Sequence, residues 1–573
     1  MHKRSRLAFL LLPFLLIAPG AGAMAAETRL VSSQPKADGD FGRAVALAGP
    51  WLVIGALLED SGLPPAPQGG AAYVYRRQAD GSYTEYQRLV AADAGSIDDF
   101  GISVAISGNT LVIGASEHDV SGLNNAGAAY VFELATTGCS VGCWQPAAQL
   151  TAGTPVAGGS FGNAVAIDGD TLIVGAKGEQ AAYLYQRNTG VWTPTVRLAP
   201  ATGQDFGVSV ALSGDYCAVG ADQANSFTGA VYVFNRNLAS GWGLEDTLAG
   251  QSILDAFGFT LDLAGDRLVV GAPGAVGTKP GSARLYTRAA SGQWDTNPVV
   301  SLQPFQADNV TPDAAAGDSF GIGVSVSVGA AAQNYILVSA QNNSDGGVQS
   351  GSAYLYQEQS PGVWQQVQKL LASDAAAQDH FGNAVTAYGE VAVVGAQDKI
   401  IAALDSGAVY AYHDTTDTDG DGLADQVERQ ICIETANLVC TSTVLADSDG
   451  DGLSDADEIG YGGGSGSYDS GDLNPVAADS DGDGVIDGVE VVAGNDPLDP
   501  ADTTLYGDIN GDDSIDATDI LLGTRMVAGL MSWTPAQLAR ANVAPLVGGV
   551  PAPADAVIGA DDLLIINRWA QLN

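Results

Sequence analysis

The feature that most restricts this chain is a repeat. Phe-Gly pairs stand at Phe41, Phe100, Phe161, Phe206, Phe257, Phe320 and Phe381, and each opens a short alternating apolar run. A second run follows, ending in (V/I)GA or a near relative at Gly55, Gly114, Gly175, Gly220, Gly271, Ser339 and Gly395. A third carries aromatics, as in AYVY at Tyr73, AYVF at Tyr130, AYLY at Tyr183, VYVF at Tyr232, ARLY at Tyr286, AYLY at Tyr354 and VYAY at Tyr410. Gly, Asn and Ser separate the runs, which reads as strands joined by tight turns. A unit recurring seven times means a repeat architecture, in which each copy buries its faces against its neighbours.

The ends of the repeat decide between an open array and a ring. Most units finish in a fourth apolar run, often behind a Trp: Trp144 to Leu150, Trp192 to Leu198, Trp242 to Leu248, Trp294 to Leu302 and Trp364 to Leu370, with Tyr83 to Leu89 in unit one. Unit seven has none, because the chain turns acidic after Tyr412, yet Thr28-Arg29-Leu30-Val31 matches Gln87-Arg88-Leu89-Val90. A chain that begins with the last strand of its own repeat can close a ring without exposed edges. The expected fold is mostly β, a seven-bladed β-propeller over residues 27–413. The Phe-Gly start and (V/I)GA centre resemble the FG-GAP repeats of integrin α-subunit propellers. Calcium-binding repeats of that family carry an Asp/Asn-rich loop between the two halves. Here the turns are Ala48-Gly49-Pro50, Ser107-Gly108-Asn109, Asp168-Gly169-Asp170 and Ser213-Gly214-Asp215, so no calcium is expected inside the propeller.

Ahead of the repeats, residues 1–26 combine His2, Lys3, Arg4 and Arg6 with an apolar run from Leu7 to Ile17 and a small-residue ending, Ala21-Gly22-Ala23-Met24-Ala25. This describes a secretory signal peptide; the run is short and broken by Pro13, which disfavours a membrane anchor. The expectation is a secreted or cell-surface protein. A formal charge of −43 argues against nucleic acid or an anionic membrane as partner. Cys139 with Cys143, and Cys432 with Cys440, are close enough in sequence for loop-closing disulfides, while Cys217 reads as a buried thiol.

From Asp414 onward the composition changes abruptly, with 31 acidic side chains against 4 basic ones. Such a run is often a disordered tail. Its spacing argues otherwise. Asp417, Asp419, Asp421, Asp425 and Glu428 fall at positions 1, 3, 5, 9 and 12 of a loop with Gly422 at 6 and the Leu423 carbonyl at 7. The phasing returns at Asp447, Asp449, Asp451, Leu453, Asp455 and Glu458, and again at Asp479, Asp481, Asp483, Val485, Asp487 and Glu490. Calcium needs six to eight oxygens, and this spacing wraps them around one point. These loops resemble thrombospondin type 3 repeats and their bacterial relatives, which implies a calcium-stiffened stalk over residues 414–502.

Residues 504–573 have another rhythm. Asp508, Asn510, Asp512, Ser514, Asp516 and Asp519 form a further calcium-type loop running into the apolar stretch Ile520 to Leu530. Loop-helix, linker and second loop-helix resemble a type I dockerin, which implies a cohesin-like partner. Asp513 takes the position where Gly is usual. The second half departs further: Ala544 offers no ligand, and an insertion runs from Pro545 to Pro553 before Asp555, Gly559 and Asp562.

No nucleophile-base spacing, HExxH or phosphate-cradling loop appears among the four His and the many acids. Acid pairs such as Asp98-Asp99 sit in turns before the Phe-Gly pairs and read as solvated carboxylates. A propeller can host an enzyme, so fold alone decides nothing, and the expectation is a non-enzyme. The favoured function is a calcium-binding adhesion or ligand-binding protein, with a protein or glycan ligand on the propeller. The alternatives are an accessory protein or hydrolase of extracellular polysaccharide degradation, and a structural surface-layer component.

Overall fold

The computed structural model describes residues 24 and 26–500 apart from 63–67, 136–141, 201–203, 239–240, 275–278, 290–291, 329–333, 436–438, 462–466, 469–470, 483–485 and 494–495; beyond 500 it describes 509–510, 517–528 and scattered positions to 551. The signal-peptide reading, apart from Met24 and Ala26, and the second dockerin-like half, apart from residues 546–547 and 550–551, lie outside the described residues.

Seven four-stranded antiparallel sheets form the blades of a β-propeller. In blade one the strands are Phe41–Ala48, Trp51–Ala56, Ala71–Arg77 and Tyr83–Leu89, each paired with the next. Blades two to six repeat this order. Blade seven takes Val385–Tyr388, Val391–Ala396 and Ala408–His413 from the far end and completes itself with the first strand, Ala26–Leu30. The register runs from Ala26 opposite His413 to Leu30 opposite Val409. That pairing hides the backbone edge that either element alone would expose. In blade five the fourth strand is only Val300–Leu302; Trp294 stands apart and bridges Arg288 instead.

The repeat motif is explained by what its residues touch. All seven Phe are buried. Each meets the first aromatic of its own third strand edge-on or tilted, with ring centroids 5.4 to 6.0 Å apart. Such pairs add specific geometry to the burial of large apolar area. The backbone at Phe100 bridges Gly70 of the preceding blade, and the same bridge joins Phe41 to Gly407 across the ring closure. The two glycines of the motif meet across six of the seven interfaces; in the remaining one Gly382 faces Ser339. A Cβ on Gly55 would lie 2.0 Å from the Gly101 carbonyl oxygen, so the backbones approach as only Gly permits.

That close approach is locked by hydrogen bonds from one blade to the next. The Gly carbonyl of a Phe-Gly pair accepts from Ser103 (to Gly162, 2.8 Å), Asn163 (to Gly207, 3.0 Å), Ser209 (to Gly258, 2.8 Å), Thr260 (to Gly321, 3.0 Å) and Asn383 (to Gly42, 2.9 Å). Blade six solves the same problem in reverse. Its inner strand has Gly323, and the hydroxyl comes from Ser339, which donates to Gly382 at 2.6 Å.

A second set of bonds joins the opposite ends of the inner strands. The amides of Gly169, Gly214 and Gly265 donate to Ser107, Asp168 and Ser213 of the preceding blade at 3.1, 2.6 and 3.0 Å. The turns that lack an integrin-type metal loop therefore carry inter-blade bonds. The seven inner strands surround an axial cavity of about 430 Å³.

Candidate metal centres

Three of the propeller acids are tied into pairs with basic side chains. Asp98, read from sequence as solvated, is buried; it accepts the Gly95 amide at 2.5 Å and pairs with His118 Nδ1 at 2.8 Å. The same device recurs. Asp255 accepts the Ser252 amide and pairs with Lys279 at 2.6 Å, and Asp379 accepts the Ala376 amide and pairs with Lys399 at 2.8 Å. Sequence missed this because Asp two residues before Phe looks like any turn carboxylate until its partner arrives from the loop after the second strand.

In the acidic segment the loops are pre-shaped by their own backbone. Asp417 accepts the amides of Gly420 at 2.7 Å and Gly422 at 3.2 Å. Asp447 does the same with Gly450 and Gly452 at 2.6 and 3.1 Å. The glycines lie at φ of 79° to 106°, a left-handed turn that side-chain-bearing residues resist. At loop position 9, Asp425, Asp455 and Asp487 each accept both the amide and the hydroxyl of position 2, from Thr418, Ser448 and Ser480. Each loop then enters a short helix: Asp425–Glu434, Asp455–Ile459 and Asp487–Ala493. Val427 and Ile431 form the buried stripe of the first, packed with Leu423 from the loop ahead of it.

Among the described residues, carboxylate oxygens gather in three groups, each within 4.8 Å: Asp417 with Asp419 and Asp421; Asp447 with Asp449 and Asp451; and Asp451 with Glu458 and Asp487. The third group crosses from one loop to the next, which separate loop readings do not anticipate. Successive repeats are also stapled by position 5. Asp421 accepts the Ala456 amide at 3.2 Å, and Asp451 accepts the Gly488 amide at 2.7 Å.

The donor set fits a hard cation. Glu428 and Glu458 are fully buried, and neither oxygen of either carboxylate has a hydrogen-bond partner among the described residues; the oxygens of Asp419 lack one there too. Burial, with Asp419, Asp421 and Asp425 close by, pushes Glu428 up to about 8. Burial, with Asp449, Asp451 and Asp455, pushes Glu458 up to about 9. Buried, unpaired carboxylates facing one another are costly unless neutralised. A divalent cation that takes several oxygen ligands would supply the matching counter-charge.

The remaining expected ligands are placed as follows. Asp479 accepts the Gly482 amide at 2.8 Å, and Glu490 is buried in the helix beyond it. Asp483 and Val485 lie outside the described residues, as do Asp508, Asp512, Ser514 and Asp516. The Asn510 amide donates to buried Asp519 at 3.1 Å, ahead of the helix Ala517–Val527. Cys432 and Cys440 form a disulfide. Cys143 is disulfide-bonded, while Cys139 lies outside the described residues. Cys217 is a free, buried thiol. Among the described residues no helix is long and apolar enough to cross a membrane.

Comparison with known proteins fits this division of the chain. The bacterial TSP3 repeat model matches residues 417–431, 447–462 and 479–500, the three acidic loops with their helices. No curated protein matches the chain. One similar solved structure, titled "Structure of U3-55K", is 12% identical and covers 67% of this chain and 98% of its own, with a TM-score of 0.43. The FG-GAP repeat model matches residues 25–75, 83–132, 144–188, 192–234, 306–356 and 364–412. Most matched units begin in the fourth strand of one blade and end in the third strand of the next, the offset that ring closure requires. With about half of the chain matched by these repeats, the protein belongs to the FG-GAP repeat family.

Proposed function

We propose that this protein is an extracellular, calcium-binding adhesion or ligand-binding protein. The propeller is its binding head, residues 414–502 a calcium-stiffened stalk, and residues 504–573 a dockerin type I-like module that takes a cohesin-like partner. The observation that carries the reading is that the carboxylates of Glu428 and Glu458, at the closing position of their loops, are fully buried and have no hydrogen-bond partner among the described residues. Asp417, Asp419, Asp421 and Glu428 would hold one ion with the Leu423 carbonyl, and Asp447, Asp449, Asp451 and Glu458 another with the Leu453 carbonyl. Bound calcium supplies the positive charge that lets these acids stay ionised side by side. The chain's own part is to present them, through the Gly turns and the position-9 Asp bonds described above.

Binding rather than catalysis is favoured by the propeller acids, since Asp98, Asp255 and Asp379 are held in pairs with His118, Lys279 and Lys399 inside blade contacts. Capture of ligands from the native secretome by the full chain, in calcium and in EGTA, tests the reading, alongside a glycan array and a reducing-sugar assay. Calcium-dependent retention of a specific protein or glycan without sugar release is the expected result. Release of reducing sugar would contradict it.

A further inference from the structure

The helix Asp425–Glu434 does two things at once. Its first turn carries Glu428, the closing acid of the first loop, and its remaining length lies across the place where the propeller ring is joined. At one end Glu434 makes a two-point pair with Arg77 at the tip of blade one, 2.9 and 3.3 Å, and that Arg side chain is 1% exposed. At its middle, Arg429 bonds Glu390 in the first turn of blade seven at 3.1 and 2.8 Å. Gln430 packs so closely on Gly389 of that turn that an added Cβ would meet its Oε1 at 2.0 Å. The chain just before the helix is tied as well, with the Ala424 amide donating to the Ala79 carbonyl of blade one at 3.0 Å.

Blades one and seven are the two that meet at the closure. Their contact is the one interface held through the chain's first strand, with Leu30, Phe41, Val391 and Val409 in a common apolar cluster. A bidentate Arg–carboxylate pair fixes geometry as well as energy, and here one such pair grips blade one while a second ion pair grips blade seven. The helix is thus a brace over the seam, and the metal loop is what sets its first turn.

We propose that ion binding at the first loop reinforces ring closure: the Asp417–Glu428 site and the seam between blades one and seven are energetically linked through this helix. The linkage rests on the calcium reading above. Anything that must release the ion to open becomes rarer by the factor 1 + [L]/Kd, about a hundredfold at a hundredfold excess over Kd. In the absence of the ion, repulsion among Asp419, Asp421 and Glu428 loosens the first turn of the helix and with it both grips.

Hydrogen exchange of the full chain, read by mass spectrometry with calcium alone as the probe, tests this region by region. In the parent protein, calcium is expected to slow exchange in residues 417–428 and, by tenfold or more, in the closing strands 26–30 and 408–413. In the double variant Arg429→Gln with Glu434→Gln, which alters no metal ligand, residues 417–428 should still be protected by calcium while the closing strands lose the extra protection. A second variant, Asp419→Asn, keeps both grips and should leave the closing strands at their metal-free rate in calcium. Equal protection of the seam in parent and double variant, or loop protection with no change at the seam, would overturn the linkage and leave calcium binding standing. No protection of 417–428 in the parent would overturn both.

Discussion

Exchanging Ser339 and Gly323 tests whether the blades are held as described. Ser339 is fully buried, and its hydroxyl donates to the Gly382 carbonyl at 2.6 Å. Ser339→Gly leaves that carbonyl short of its donor, at a cost of about 1 to 3 kcal/mol. Gly323→Ser alone is also unfavourable, because its Cβ would sit 2.7 Å from Ser339 Oγ; overpacking of this kind costs about 1 to 3 kcal/mol. Made together, the two changes recreate the arrangement of blades two and four, where Ser103 and Ser209 donate from the inner strand at 2.8 Å. The double variant should regain most of the parent stability. The two sites should show an interaction energy of at least about 2 kcal/mol, against ~0.3 to 0.5 kcal/mol for independent sites. Urea unfolding in saturating calcium, followed by tryptophan fluorescence, measures all four proteins. A double variant that loses the sum of the single losses would refute the inter-blade lock.

Three further outcomes follow from the geometry. Deleting residues 27–33 removes most of the strand paired with Ala408–His413, so the protein should aggregate or lose thermal stability, which light scattering and melting curves will show. Replacing Cys432 and Cys440 by Ser opens a short loop and should cost about 2 to 3 kcal/mol by the chain-entropy argument, read as faster proteolysis of the segment after Glu434. Without calcium, burial and the neighbouring carboxylates push Glu428 and Glu458 up to about 8 and 9 from an ordinary 4.5. Raised carboxylates leave stability intact below pH 4.5 and remove it as pH rises through 8 to 9. The acidic segment should therefore become more protease-sensitive between about pH 5 and 9 without calcium, and the trend should flatten with it.

Much of the fold was legible because its cause is local and repeated. Phe-Gly, (V/I)GA and the aromatic strand recur because each blade needs the same close backbone approach and the same ring contact. Closure was legible from Thr28 to Val31, since a strand out of place at the start answers one missing at the end. What stayed hidden depends on partners far apart in sequence. Asp98 looks solvated until His118, 20 residues on, reaches it from the loop after the second strand. Ser339 looks like a failed glycine until Gly382 of the next blade is seen to accept from it. In the acidic segment, loop positions were readable one loop at a time, but the grouping of Asp451 with Glu458 and Asp487 exists only once two loops pack together. The brace on Arg77 joins residues 357 apart, a separation that no spacing rule reaches.

The most direct test of the account is a count of bound ions. Equilibrium dialysis of the full chain against calcium, with Asp451→Ala as the comparison, should find at least four ions on the parent, one for each acidic loop from Asp417 to Asp519. Asp451 belongs to two of the three oxygen groups, so its loss should remove more than one ion. A parent protein that holds no calcium at millimolar free concentration would contradict the account.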